Sequence, residues 1–431
     1  MTVLKPRVHW VSPLPHAQTD IAHYTRRILP ELAAETDLVL WTDANHWDRE
    51  LHDFAPVRRL DPDRVMPRDF ALAGRPDGKP GQGPEAVFVN IGNAWPFHAG
   101  YLRMVQRIPA VIVLHDMAIQ EMCHDAMDRD LLPRGLYETL MARWHGQKGR
   151  DAVHATWKGE MTPGDLSHRY PGFELALTRA VSVLTHTPVA RDAVDATGTV
   201  PTYLLDLPFR FSAQTPAVIR SGIGPMRLVQ FGYTGPNRRL QNVLEALAEL
   251  KGEVDFHLDV MGKLWDPGYI TARIRELGLV HNVTLHGFVE EYELDEKLNA
   301  AHLVFNLRNP TMGEASGSQM RIWNAAAPSV VTDLGWYANL PDGTVFKIDP
   351  SEEVPALQRL IRQLVADPAA GRDVAAAGRA RLEAAHTPAR YARGVANVAR
   401  RFEADAAAAL RNRSLQQHDP MVVKKKSVQA G

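Results

Sequence analysis

Glu314 stands two positions before Ser316-Gly317-Ser318, and the small residues Ala315 to Ser318 sit where a loop turns into the helix that begins near Gln319. At a helix start, backbone N–H groups without helical partners and the positive end of the dipole favour an anion. A carboxylate beside a phosphate repels it, unless that carboxylate faces something else, such as sugar hydroxyls. The residues therefore suit a phosphate with a polyol attached; the plainer reading is an ordinary loop and helix cap. Two cations, Arg238 and Arg239, lie in the loop Tyr233-Thr234-Gly235-Pro236-Asn237 and lead into a helix. Solvated charge at a helix start opposes the dipole, whereas a guanidinium there can neutralise a phosphate. His115-Asp116 ends an apolar run, a placement open to ligand contact or to a histidine held by a backbone carbonyl.

Strands and helices must position these groups. In the first half, Val8–Val11, Asp37–Trp41, Ala86–Asn90, Pro109–Leu114 and Ala180–His186 read as strands, and Val200–Leu205 closes the half. Ile21, Tyr24, Ile28 and Leu32 give a helix over about 21–34 one apolar face, with Asp20 as a plausible N-cap. Residues 61–85 read as a surface excursion, rich in Pro, Gly, Asp and Arg. Residues 117–178 read as helical and irregular. Their histidines and tryptophans match no metal-ligand spacing, which suggests a mobile or acceptor-facing segment. In the second half, strands are expected at Arg227–Gly232, Phe256–Lys263, Val283–Val289, His302–Phe305 and Val330–Thr332. Helices are expected at Leu240–Leu250, Tyr269–Leu277, Leu294–Ala301, Glu353–Asp367, Gly371–Ala385 and Pro388–Ala409. Strand and helix alternate through both halves, so each half is an α/β domain with a parallel sheet.

A chain of 431 residues suits two or three domains. Its 45% hydrophobic and 23% charged residues are ordinary for a globular protein. A formal charge of −1 offers no basic field for nucleic acid. The lone cysteine, Cys123, excludes an internal disulfide and any cysteine-built metal site. No apolar run approaches a membrane span and no signal-peptide core opens the chain, so a soluble, cytoplasmic protein is expected, with the inner face of the membrane as an alternative place of work.

A series of motifs in order carries a resemblance over roughly residues 7–400. Phe231-Gly232-Tyr233 with Asn237-Arg238, His286-Gly287-Phe288-Val289, Pro310 to Ser318, and Val330 to Gly335 resemble the donor half of retaining glycosyltransferases of family 4. Ser12-Pro13-Leu14-Pro15 with Asp20 to Tyr24, and Leu114-His115-Asp116, resemble the matching acceptor half. The resemblance implies an α/β protein of the GT-B type, two Rossmann-like domains facing each other across a cleft. It implies a nucleotide-diphosphate sugar as donor and no metal or other cofactor.

By the same resemblance, Arg238, with Arg239 beside it, holds the donor diphosphate together with Ser316, Gly317 and Ser318. Glu314 contacts the sugar hydroxyls and His115 faces the donor sugar; these two are the implied catalytic residues. Gly287, Phe288 and Val289 line the base pocket, and Thr19 and Asp20 lie in the loop facing the cleft. Two positions depart from the family pattern. Ile322 stands where a second glutamate grips the ribose, and neither Thr19 nor Asp20 is glycine.

The expected organisation is an acceptor-binding domain over 1–210, a linker over 211–225 and a donor-binding domain over 226–385. A C-terminal helix over 386–411 has the option of crossing back to the first domain, and 412–431 reads as a disordered tail. The expected activity is hexosyl transfer with retention to a hydroxyl acceptor, a glycan or a lipid-linked saccharide, with peripheral membrane association open. A nucleotide-sugar epimerase or phosphorylase of the same architecture and a non-catalytic scaffold are the alternatives.

Overall fold

The computed structural model describes residues 4–73, 84–211 and 224–418. Two compact units divide the chain. One takes Met1–Arg210, Met312–Ala315 and Pro388–Gly431; the other takes Phe211–Thr311 and Ser316–Thr387.

The first unit is built on a seven-stranded, wholly parallel sheet: β1 (Arg7–Val11), β2 (Asp37–Thr42), β3 (Val57–Arg59), β4 (Glu85–Ile91), β5 (Ala110–Leu114), β6 (Ala180–Thr185) and β7 (Thr202–Leu204). Their spatial order is β3-β2-β1-β4-β5-β6-β7. Successive side chains of a strand point to opposite faces, and both faces here are covered, so the strands read as continuous apolar runs. Phe88, Val111 and Val113 pack on one face with Trp10 and Ile28. Val89, Ile112 and Leu114 pack on the other with Tyr101, Met122 and Tyr137.

The second unit repeats the plan with β8 (Met226–Phe231), β9 (Phe256–Met261), β10 (Val283–Gly287), β11 (Leu303–Phe305), β12 (Ser329–Thr332) and β13 (Phe346–Ile348), ordered β10-β9-β8-β11-β12-β13 and again all parallel. Leu228, Leu258 and Phe305 lie on one face against Val243, Leu247 and Ile361. Val229, Met261 and Val304 lie on the other, with Leu298 and Ile322.

Several expectations shift. The first helix spans Asp20–Glu35; Thr19, with extended backbone and no side-chain cap bond, occupies the N-cap position, and Asp20 is instead the acidic residue of the first turn. The last helix runs Pro388–His418, past the expected start of the tail at Asn412. Arg413 anchors that stretch, its Nη1 donating to the Ala180 carbonyl at 2.8 Å. The helix belongs to the first unit: Tyr391, Val395 and Val398 pack with Trp10, Tyr24 and Ile28. Most of the expected linker, part of the 61–85 excursion and residues 419–431 lie outside the described residues.

Candidate functional site

In the second unit, β8 ends in Phe231-Gly232 and the chain turns through a short 3-10 helix, Pro236–Arg238, into the helix Leu240–Leu250. Gly232 has φ 97° and Gly262 φ 117°, and a Cβ on Gly262 would collide with the Gly232 carbonyl oxygen. The two glycines let the loops after β8 and β9 lie against each other. Gly232 also keeps room for Arg238, whose Nη2 would lie 3.2 Å from a Cβ there.

Arg238 is 8% exposed. Its Nη1 donates to Asn306 Oδ1 at 2.8 Å and its Nη2 reaches Ser318 Oγ at 3.4 Å. Asn306 follows β11, and a buried network fixes which way its amide points. Its Nδ2 donates to Gln319 Oε1 at 2.9 Å, and Gln319 Nε2 donates to Ser329 Oγ at 2.8 Å. The amide oxygen is thereby left to the guanidinium. The helix Gly317–Asn324 starts at this point, with Ser316 as N-cap, its Oγ accepting from the Gln319 amide at 3.1 Å. The amides of Gly317 and Ser318, in the first turn, have no helical carbonyl to donate to. Guanidinium and helix start thus converge, two positive ends side by side.

Arg239 does something different. It sits at φ 57° and its Nε donates to Glu353 Oε2 at 2.6 Å, an oxygen that also accepts from Asn242 Nδ2 at 2.7 Å. The Glu353 side chain is 1% exposed, so Arg239 serves a buried carboxylate.

The presumed base pocket divides. Gly287 ends β10 at φ 71° and its carbonyl accepts from the Gly262 amide at 2.5 Å. Phe288 is 87% exposed, while Val289 packs inward against the cluster containing Phe231 and Met261. Ile322 is wholly buried in that same cluster. Arg321 before it is tied to Asp295 at 2.9 Å. Core packing thus occupies the position where the resemblance would place a second glutamate.

In the first unit, His115 follows β5, its amide bonded to the Ile91 carbonyl at 2.9 Å. Asn90 Nδ2 donates to the Val11 carbonyl at 2.9 Å, which leaves Asn90 Oδ1 to accept from His115 Nε2 at 2.8 Å. The proton is therefore on Nε2, and Nδ1 carries the lone pair. Burial, then the neighbouring His186 and His98, hold this imidazole well below its ordinary range, so it is neutral at pH 7. Tyr24 stands edge-on to it, ring centroids 4.7 Å apart. Asp116 accepts from the Asn93 amide at 2.8 Å. Thr19 is half-buried and Asp20 exposed. Glu314 is half-buried, and its Oε2 accepts from the Met312 amide at 2.9 Å.

Asn306, Gln319 and Glu353 have no role in the sequence reading. Their partners lie up to 114 positions away, beyond the reach of local spacing. Among the described residues, no three His, Cys, Asp or Glu side chains gather as a metal ion would require, and no helix is long and apolar enough to cross a membrane.

A family model described as Glycosyl transferase-like matches residues 238–397. No curated protein sequence matches the chain. Among solved structures, HepE of Anabaena in complex with UDP is similar at 13% identity and TM-score 0.56, covering 91% of this chain and 99% of that one. A sucrose-phosphate synthase from Thermosynechococcus elongatus is similar at 15% identity and TM-score 0.57, covering 93% and 100%. A glycosyltransferase from Rickettsia africae gives 10% and 0.58, covering 92% and 98%. The fold is GT-B. In GT-B terms, Arg238 and the start of the helix Gly317–Asn324 belong to the C-terminal Rossmann-like domain, and His115 to the N-terminal one.

Proposed function

We propose that this protein is a hexosyltransferase that moves a sugar from a nucleotide-diphosphate sugar to a hydroxyl acceptor with retention of configuration, as a member of family 4. The observation that carries this reading is the buried guanidinium of Arg238 beside the start of the helix Gly317–Asn324. A cation at the positive end of a helix dipole is unfavourable on its own and favourable around a shared anion. A leaving diphosphate is such an anion: Arg238 and the amides of Gly317 and Ser318 stabilise the charge that develops as the glycosidic bond breaks. The match to a glycosyl transferase-like model over residues 238–397, and the UDP held by Anabaena HepE, support the same reading.

We assign the sugar hydroxyls to Glu314 and the donor sugar to His115 as well, following the resemblance. The diphosphate goes to Arg238, since Arg239 is engaged by Glu353. Protein groups supply the positive charge, so we propose turnover without a metal. The acceptor is proposed to be a glycan or lipid-linked saccharide, and the place of work the cytoplasm, at the inner membrane face where the acceptor is lipid-linked.

A non-catalytic scaffold is the competing reading, and the buried Ile322 favours it. Purified protein incubated with a panel of nucleotide sugars decides between them. Release of nucleoside diphosphate that survives EDTA is expected. Absence of release with every donor supports the scaffold, and loss on chelation with rescue by Mn²⁺ or Mg²⁺ overturns the metal-free reading.

A further inference from the structure

The segment between β5 and β6 holds a second polar site. The helix Arg134–Trp157 breaks at Gly146, whose φ 63° and ψ −151° are not helical, directly after His145. Glu174 lies in the short 3-10 helix Phe173–Leu177 and is 9% exposed. Its Oε1 lies 3.8 Å from His145 Nε2, outside hydrogen-bond reach. Glu174 Oε2 and His145 Nε2 are both buried with no hydrogen-bond partner among the described residues. Buried polar atoms are normally paired, because leaving one unpaired costs stability. Burial raises the Glu174 carboxyl to about 7 against the pull of the Gly172 and Glu174 amides, and lowers the His145 imidazole. Burial thus disfavours the charged form of both groups and leaves each with hydrogen-bonding capacity unused.

Beside them, the Tyr170 ring lies 4.6 Å from the His145 ring. The segment is fastened to the loop after β5: the Ile119 amide donates to the Pro171 carbonyl at 2.8 Å, and Gln120 Nε2 to the Tyr170 carbonyl at 2.7 Å. That loop leaves the carboxyl end of the central strand β5 through His115 and Asp116, where open parallel sheets receive ligands. Both side chains keep a small exposed fraction, 15% for His145 and 12% for Glu174, so the pair is not sealed.

We propose that Glu174, His145 and Tyr170 form a binding site for a polyhydroxylated ring, a saccharide. A hydroxyl is both donor and acceptor, and so can serve a carboxyl oxygen and an imidazole nitrogen at once. The Tyr170 ring, with the Arg169 guanidinium 5.5 Å from its centroid, adds an aromatic contact for the C–H groups of a sugar. An anionic ligand would meet the Glu174 carboxyl. On the function proposed above, which this last step rests on, the ring belongs to the acceptor.

The test is titration of the full chain, without any nucleotide sugar, with methyl α-glucopyranoside, methyl α-galactopyranoside and methyl α-mannopyranoside, read by saturation-transfer NMR. At least one should bind, and Glu174→Gln and His145→Phe should each raise its Kd about tenfold or more. Melting curves accompany both variants; if one does not fold, the other decides alone. Binding unchanged in the folded variants, or no binding of any of the three to the wild type, overturns the proposal. UDP affinity is measured on the same samples. Its absence alongside intact glycoside binding would count against the donor reading and leave this site standing.

Discussion

The guanidinium of Arg238 reaches Ser318 Oγ at 3.4 Å and so places a full positive charge at the positive end of the helix Gly317–Asn324. An anion there gains from both. Arg238→Ala should weaken binding of UDP, or of whichever nucleoside diphosphate the donor panel selects, by roughly 2–4 kcal/mol, a thirtyfold or greater rise in Kd by calorimetry. Equal affinity in wild type and variant would remove the diphosphate from this position.

Arg239 is expected to behave differently, although it is the next residue. Arg239→Ala leaves the buried Glu353 carboxylate with Asn242 as its remaining described partner, and should cost about 3 kcal/mol in a denaturant melt. Nucleoside-diphosphate affinity should hold. Glu353→Gln in the same background should recover part of the loss, since it removes the stranded charge. A fall in affinity with unchanged stability would reverse the two arginines' roles.

Glu314→Gln keeps the shape and one acceptor oxygen but removes the charge. Turnover of the donor should fall by roughly 10²-fold, as for loss of one preorganised electrostatic contact, while nucleoside-diphosphate affinity hardly changes. Joint loss of melting temperature and nucleotide affinity would make Glu314 a loop-stabilising residue instead.

Ala326 ends the helix Gly317–Asn324 at φ 46°, with its amide bonded to the Trp323 carbonyl and that of Ala327 to Ile322. This is the left-handed helix ending in which glycine is the usual residue. Ala326→Gly should stabilise the protein by roughly 0.5–1 kcal/mol, the relief of the Cβ outweighing the added unfolded-state freedom. A lower melting temperature would contradict this.

Glu174 links stability to pH. Its folded pKa, about 7, lies above the ordinary 4.5, so the folded protein holds this proton longer than the unfolded chain does. The buried carboxylate therefore costs nothing below about pH 4.5, costs progressively more as pH rises, and reaches about 3 kcal/mol above pH 7. Glutamine does not titrate. Glu174→Gln should be more stable than wild type at pH 8 and lose that advantage by pH 5. Denaturant melts at both pH values check it, and a constant difference would mean that this carboxyl does not titrate between them.

The strands were legible where burial on both faces writes a continuous apolar run, as in Ala110–Leu114. Edges were not. Val57-Arg58-Arg59 pairs on one side only and its two arginines are exposed, and Phe346–Ile348 is equally short. The place of Arg238 in the loop after β8 could be read from the sequence. The role of Arg239 could not, because a buried glutamate 114 positions away decides it. Ile322 shows a further limit: spacing marks where a carboxylate would stand, yet packing against Val229 and Met261 fills that place.

The first unit takes its last helix, Pro388–His418, from the far end of the chain. During translation the sheet of Arg7–Leu204 therefore emerges without the partner of Trp10, Tyr24 and Ile28. At the usual pace of synthesis, the roughly 180 positions between Arg210 and Pro388 take about 10–40 s to add. Throughout that interval an apolar face waits uncovered, whereas the second unit, Phe211–Thr311 and Ser316–Thr387, is complete by the end of it. A nascent chain stalled before Pro388 should for that reason recruit holding chaperones through its first half rather than its second.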